Sequence, residues 1–129
     1  MQVLFTKNLV RDPKLSLMKD CIDSAPSQVA VVDGEVVGFA YSRMIAPDAL
    51  ELVNILVAED WRDAGIGGNL LEKLEREALA QGYKTVVLFN SLLHSSIGIK
   101  RTAIPFYLRH GYDHMQLTSE TAFCWKSLR

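Results

Sequence analysis

Hydrophobic positions change period along this chain, and the changes divide it into elements. Leu70, Leu74 and Ala78 fall four apart, with Ile66 and Leu71 flanking the same stripe, while Glu72, Lys73, Glu75, Arg76 and Glu77 take the other side. That pattern predicts an amphipathic helix with Glu72–Arg76 and Lys73–Glu77 as i,i+4 pairs and Gly82 as its stop. Upstream, "QVAVVDGEVVGFAYSRM" (28–44) sets two β-branched runs around Asp33-Gly34, a two-residue hairpin turn. Residues 46–48 read as a loop. "LELVNILVA" (50–58) has little polar interruption and reads as a strand buried on both faces, and "KTVVLF" (84–89) reads as another buried strand. Strand, helix, strand in that order is a crossover unit, so 50–58 and 84–89 are predicted to be parallel neighbours that diverge at their C-terminal ends.

Weaker signals fill in the rest. Segment 2–6 reads as a short strand, and 14–24 as a modest amphipathic helix closed by Pro26. A second short helix over 102–110 ends at Gly111, and strands follow near 112–117 and 121–128. The order β-α-β-β-β-α-β-α-β-β predicts one α/β domain over 1–129. Its sheet is mixed and mostly antiparallel, with one parallel pair and helices on its faces.

Composition narrows the function. The 129 residues are 49% hydrophobic and 22% charged, the balance of an ordinary globular domain. A formal net charge of −1 gives no basic footprint for nucleic acid. No apolar run approaches the roughly 18 residues of a membrane span, and the start lacks a signal-peptide core. Cys21 and Cys124 fit no metal or disulfide spacing, so the expected setting is the cytoplasm with both thiols reduced.

The sharpest chemical signal is "EDWRDAGIGGNLLEKL" (59–74), which puts Gly65, Gly67 and Gly68 where a helix must nucleate. Glycine is a poor helix former, about 1 kcal/mol worse than alanine. Unpaired N–H groups at a helix start carry partial positive charge, and glycines let an anion approach them closely. The plainer alternative is a loosened helix start with Arg62 solvated. A nucleoside-triphosphate P-loop is excluded because Asn69, not Lys, follows Gly68, and the dinucleotide fingerprint because Leu70 replaces its third glycine. The spacing that fits is Arg-x-x-Gly-x-Gly, at Arg62, Gly65 and Gly67.

With those residues the chain resembles the GNAT superfamily of N-acetyltransferases. "LVNILVAEDWRDAGIGGNLLEKL" is similar to the family's cofactor motif, and "AIPFYLRHGY" (103–112) to its Ala-x-x-Phe-Tyr-x-x-x-Gly-Phe/Tyr motif. The resemblance covers about residues 29–128 and implies a GNAT-like fold using acetyl-CoA, without a metal. It implies that the amides of Arg62, Asp63, Ala64, Gly65, Ile66 and Gly67 hold the pyrophosphate. Main-chain groups around Ile55, Leu56 and Val57 would pair with the pantetheine arm, with Asn90 beside the same cofactor. Tyr107 would protonate the departing thiolate, against the plainer role of core packing. Glu51 is the family-like candidate base, His94 a second and bulk water a third; Glu51 as a solvated strand-end carboxylate is the plainer role.

Other groupings are weaker. His110 and His114 are separated by Gly111 and should not share a face for zinc. Cys124 shows no activating neighbour for acyl transfer, and the two cations of "SIGIKR" (96–101) read as a solvated loop. The chain departs from the family pattern at Glu59, where proline is usual, at Asp63, where glycine is common, and at Lys100, where many members have asparagine. Residues 7–28 have room for one helix where members have two, so the acceptor pocket is either open or completed by a second subunit in a homodimer. The expected function is acetyl transfer from acetyl-CoA to a small-molecule or peptide amine, with a non-catalytic acyl-CoA-binding module as the alternative.

Overall fold

A computed structural model describes residues 3–6, 25–91 and 103–129. The helix expected over 14–24, Cys21, His94 and the cations of 96–101 lie outside the described residues. The strands are β1 (Val3–Thr6), β2 (Ser27–Val32), β3 (Glu35–Ala46), β4 (Ala49–Val57), β5 (Thr85–Ser91), β6 (His114–Leu117) and β7 (Thr121–Ser127). Helix α1 (Ile66–Ala80) joins β4 to β5, and α2 (Ile104–Arg109) precedes β6. They form one sheet in the order β1-β2-β3-β4-β5-β7-β6. Every neighbouring pair is antiparallel except β4 and β5.

Local chemistry accounts for the turns. Val32 pairs with Glu35 across Asp33-Gly34, and both turn residues have positive φ (51° and 79°), as a two-residue turn matched to strand twist requires. The stretch expected only as a loop at 46–48 is a second tight hairpin, with Ala46 opposite Ala49. Its Asp48 carbonyl accepts from the Lys84 and Thr85 amides at 2.7 and 3.2 Å, which anchors the start of β5 beside β4. Both helices end in the same motif. In α2 the Gly111 amide donates to Leu108 O (3.2 Å) and the Tyr112 amide to Tyr107 O (3.0 Å). This is a Schellman cap, which needs a left-handed residue, and Gly111 has φ +92°.

The parallel seam is short. Ala49, Leu50 and Glu51 pair with Thr85, Val86 and Val87, and the register stops there. Beyond it β4 runs on against β3 and β5 against β7, so the strands part as the crossover predicted. The α1 stripe of Ile66, Leu70, Leu71, Leu74 and Ala78 is buried as expected. It packs on Ala30, Val37, Ala40, Leu52, Val86, Leu88, Ala122 and Cys124. Each fully buried leucine there contributes about 1.5–3 kcal/mol.

One expectation fails. β4 is buried on one face only: Leu50 and Leu52 face the core, while Val53 and Leu56 are exposed. The cause is a bulge. Ser42 pairs with Leu52 but Tyr41 with Asn54, leaving Val53 without a partner. The extra residue shifts the alternation, so that Ile55 and Val57 pack against the core cluster beyond it. The strand's largely apolar run therefore serves a phase change rather than burial on both sides. β5 shows a related departure, with Val86, Val87 and Leu88 buried but Phe89 59% exposed. Among the described residues no helix is long and apolar enough to cross a membrane.

Candidate active site

Where β4 parts from β5, a cleft of about 660 Å³ opens between the end of β4, the loop into α1 and helix α2. Ile55, Val57 and Tyr107 line its inner end, and Asn69, Glu72, Arg109 and His110 its outer end. The wall between is the glycine segment. A 3-10 turn over Glu59–Trp61 leads to Asp63 and Gly65, both with positive φ (64° and 80°). Gly65 is the N-cap of α1, and no side chain caps the helix start. The Asn69 amide bonds the Gly65 carbonyl at 3.1 Å. The amides of Ile66, Gly67 and Gly68 therefore have neither a helical acceptor nor a side-chain one. With no acidic residue in the first turn, the positive end of the helix dipole faces the cleft uncompensated.

The three glycines do three different things. Gly65 supplies the left-handed turn. A Cβ on Gly67 would sit 3.5 Å from the Phe106 ring and 3.7 Å from Val57 Cγ2, narrowing the cleft between them. A Cβ on Gly68 would come within 2.9 Å of His110 Cε1, so this glycine lets α1 and α2 touch. The motif spacing marked Gly65 and Gly67; the third glycine answers to a partner 42 positions away.

Backbone geometry separates the three β4 candidates. The Ala58 amide donates to Val37 O at 2.7 Å, and bonded pairs alternate along an antiparallel ladder. Leu56 thus directs its main chain at β3, while Ile55 and Val57 turn theirs to the open edge. The Val57 carbonyl already accepts from Arg62 Nε at 3.1 Å, a bond that fixes the loop to the strand end. Leu56 is also 49% exposed and is not part of the cleft lining. Arg62, Asp63, Gly65, Ile66 and Gly67 line the cleft; Ala64 is exposed beside it.

Tyr107 is buried, with rings of Phe106 and Tyr112 edge-on at 5.2 and 5.9 Å. Burial, reinforced by Cys124, pushes its phenol up to about 12, so it holds its proton through the neutral range. Cys124 is itself buried, and burial pushes its thiol up. Glu51 is elsewhere: it accepts from Arg43 Nε (2.8 Å), with the Arg43 terminal nitrogen at 2.7 Å, and lies outside the cleft. The structure thus does not bring the two candidate catalytic residues together. Asn90 pairs opposite the fully buried Ala122, past the parallel seam. Its Nδ2 is buried without a hydrogen-bond partner among the described residues. His110 packs on Phe106 and His114 on Trp125. Among the described residues no group of three or more His, Cys, Asp or Glu is placed to hold a metal.

One cluster had no sequence signal. Tyr112 donates to Glu75 Oε2 (2.7 Å), and Lys126 donates to Glu75 Oε1 and to the His110 carbonyl (2.8 Å each). Helical period alone put Glu75 on the solvent side; its partners come from 37 and 51 residues away.

The site is thus a strand pair that parts over an uncapped, glycine-rich helix start, with a buried phenol at the inner end. The chain belongs to the GNAT acetyltransferases: the model of the acetyltransferase (GNAT) domain matches residues 25–114. No curated protein sequence matches it. Among solved structures it is similar to Ard1 from Thermoplasma volcanium, with TM-score 0.73 and 20% identity over 94% of this chain and 84% of that one. A GNAT family acetyltransferase from Elizabethkingia anophelis with acetyl-CoA bound gives 0.71 and 19% over 98% and 97%. The PaiA N-acetyltransferase from Thermoplasma acidophilum in complex with coenzyme A gives 0.73 and 14% over 98% and 99%. These likenesses establish the fold.

Proposed function

We propose that this acyltransferase moves an acetyl group from acetyl-CoA to a primary amine by direct attack within a ternary complex. The observation that carries the reading is the run of acceptor-less amides at the start of α1, opening into a cleft that ends at Tyr107. Two of the relatives above are complexes with acetyl-CoA or coenzyme A, which supports the same ligand here. In this reading the amides from Asp63 to Gly68 bind the pyrophosphate, the Arg62 amide being already bonded to Glu59 O at 3.3 Å. The open edge of Ile55 and Val57 pairs with the pantetheine amides, and the unpartnered Asn90 amide donates to a carbonyl of the same arm. Tyr107 gives its proton to the departing thiolate. The amine's proton goes to water, since Glu51 is tied to Arg43 outside the cleft.

Release of free thiol from acetyl-CoA, assayed across a panel of amines, tests the reaction itself. Binding of coenzyme A without any thiol release would leave a non-catalytic acyl-CoA-binding module in its place. The cofactor loop has its own test. Gly67→Val puts branched methyls between Phe106 and Val57, and coenzyme A affinity by calorimetry should fall at least roughly tenfold in a folded variant. Unchanged affinity removes the loop from the cofactor site. For the base, Glu51→Gln should change kcat/KM by less than about threefold, whereas loss of a true general base costs on the order of 10²-fold or more.

A further inference from the structure

Helix α2 has only six residues, far below the roughly 12–15 at which an isolated helix becomes even marginally stable in water. Its orientation must come from outside, and its outer turn is held by polar bonds to two other elements. Tyr112, two residues past the cap, sends its hydroxyl to Glu75 on α1 at 2.7 Å while its ring stands edge-on to Tyr107. Lys126 on β7 bonds the other Glu75 oxygen and the His110 carbonyl that closes α2. Its ammonium also lies 5.7 Å from the centre of the Tyr112 ring. Glu75 is 12% exposed, Lys126 27%, and Tyr112 fully buried. Both carboxylate oxygens are engaged, each by a donor from a different element.

We infer that Tyr112, Glu75 and Lys126 are positioning residues for Tyr107, fixing α2 against α1 and β7 so that the phenol keeps its place at the inner end of the cleft. The inference rests on the acetyl-transfer reading for its effect on turnover, but its geometry stands apart from that reading. Apolar side chains of similar shape would hold a helix about as firmly as a buried ion pair. What the polar links add is direction. A cation on the last carbonyl of α2 also complements the negative end of the helix, and so sets which way the helix points.

The test pairs kinetics with a probe of Tyr107 itself. In Tyr112→Phe, which keeps the ring, kcat should fall by roughly tenfold, the scale of a sub-ångström misplacement, with the acetyl-CoA KM within about twofold of wild type. In a Tyr107→Phe background the same change should do nothing further to kcat, because there is no proton left to aim. Lys126→Met should act like Tyr112→Phe, and Lys126→Arg should restore turnover. Independently of turnover, the ¹³C resonance of the Tyr107 ring, assigned by its loss in Tyr107→Phe, should move in Tyr112→Phe and Lys126→Met. Its alkaline titration should drift down from about 12 toward the ordinary 10 as the helix loosens. An unmoved resonance with an unmoved titration overturns the clamp whatever the kinetics show, as does an equal kcat loss in both backgrounds. A wild-type enzyme that releases no thiol from any amine sinks the acetyl-transfer reading alone, and the resonance then decides the clamp.

Discussion

Replacing Tyr107 by phenylalanine should lower kcat by roughly 10²–10³-fold while leaving acetyl-CoA affinity and thermal stability close to wild type. The hydroxyl makes no hydrogen bond among the described residues, so its removal leaves no partner stranded, and the ring's contacts with Phe106 and Tyr112 survive. A phenol at about 12 looks a poor acid for a thiolate whose ordinary value is near 8.5: the gap corresponds to about 5 kcal/mol. In the proposed mechanism that gap shrinks. Cys124, beside Tyr107 in the same core, has its thiol raised by burial, and a cofactor thiolate expelled into the inner end of the cleft becomes more basic for the same reason. Cys124→Ala provides the control. Direct transfer leaves its turnover near wild type, whereas a dead cysteine variant beside an active Tyr107→Phe would demand an acyl-enzyme.

Stability should fall steeply as pH rises from 10 to 12. Burial pushes the folded-state phenol of Tyr107 up to about 12. Tyr112 is raised further, by burial first, then by the Glu75 charge and the hydrogen bond it donates there. A group raised on folding contributes its stability in full below its unfolded value, here about 10, and loses it above. Over that window the unfolded chain gives up the two protons while the folded chain retains them. Each tyrosine then contributes a loss of about 1.4 kcal/mol per pH unit, so the pair removes roughly 5 kcal/mol by pH 12. For a domain of this size that is on the order of its whole stability. Urea unfolding at half-unit steps from pH 9 to 12 reads the slope, and Tyr112→Phe should roughly halve it. A flat profile through pH 11.5 would mean that neither phenol is held protonated by the fold.

The features legible in the sequence were those decided within a few residues. Asp33-Gly34 marks its own turn, Gly82 and Gly111 their helix ends, and the α1 stripe its buried face, because each follows from local backbone or period. The glycine-rich turn from β4 into α1 was legible for the same reason, since a strand end, two spaced glycines and a helix start are contiguous. What escaped depends on register or on contacts across the sheet. The bulge at Val53 exists only relative to Tyr41 and Ser42, and it decides that Ile55 and Val57, not Leu56, turn toward the cleft. Gly68 has meaning only against His110. Glu75 looks like any solvated helix acid until Tyr112 and Lys126 reach it. Arg43, which holds Glu51, pairs with it only because a tight turn at Pro47-Asp48 folds β3 onto β4.

The shortness of the β4–β5 seam has a further consequence for motion. Three residue pairs at one end join a meander of four strands to a rank of three, and α1 lies chiefly over the first of these groups. Each group is laced internally by antiparallel ladders, so along the sheet itself the two lobes meet only at the seam, while α1, its core contacts and the Glu75–Lys126 pair bridge them. Amide protons of Thr85–Val87 should therefore exchange with solvent through a smaller opening than those in the middle of β2 and β3. A ligand lying along the open edge of β4 and reaching Asn90 on β5 would join the lobes at the end where the backbone does not. Binding would then be felt as slowed exchange at the seam, at the opposite end of β4 from the glycine-rich loop.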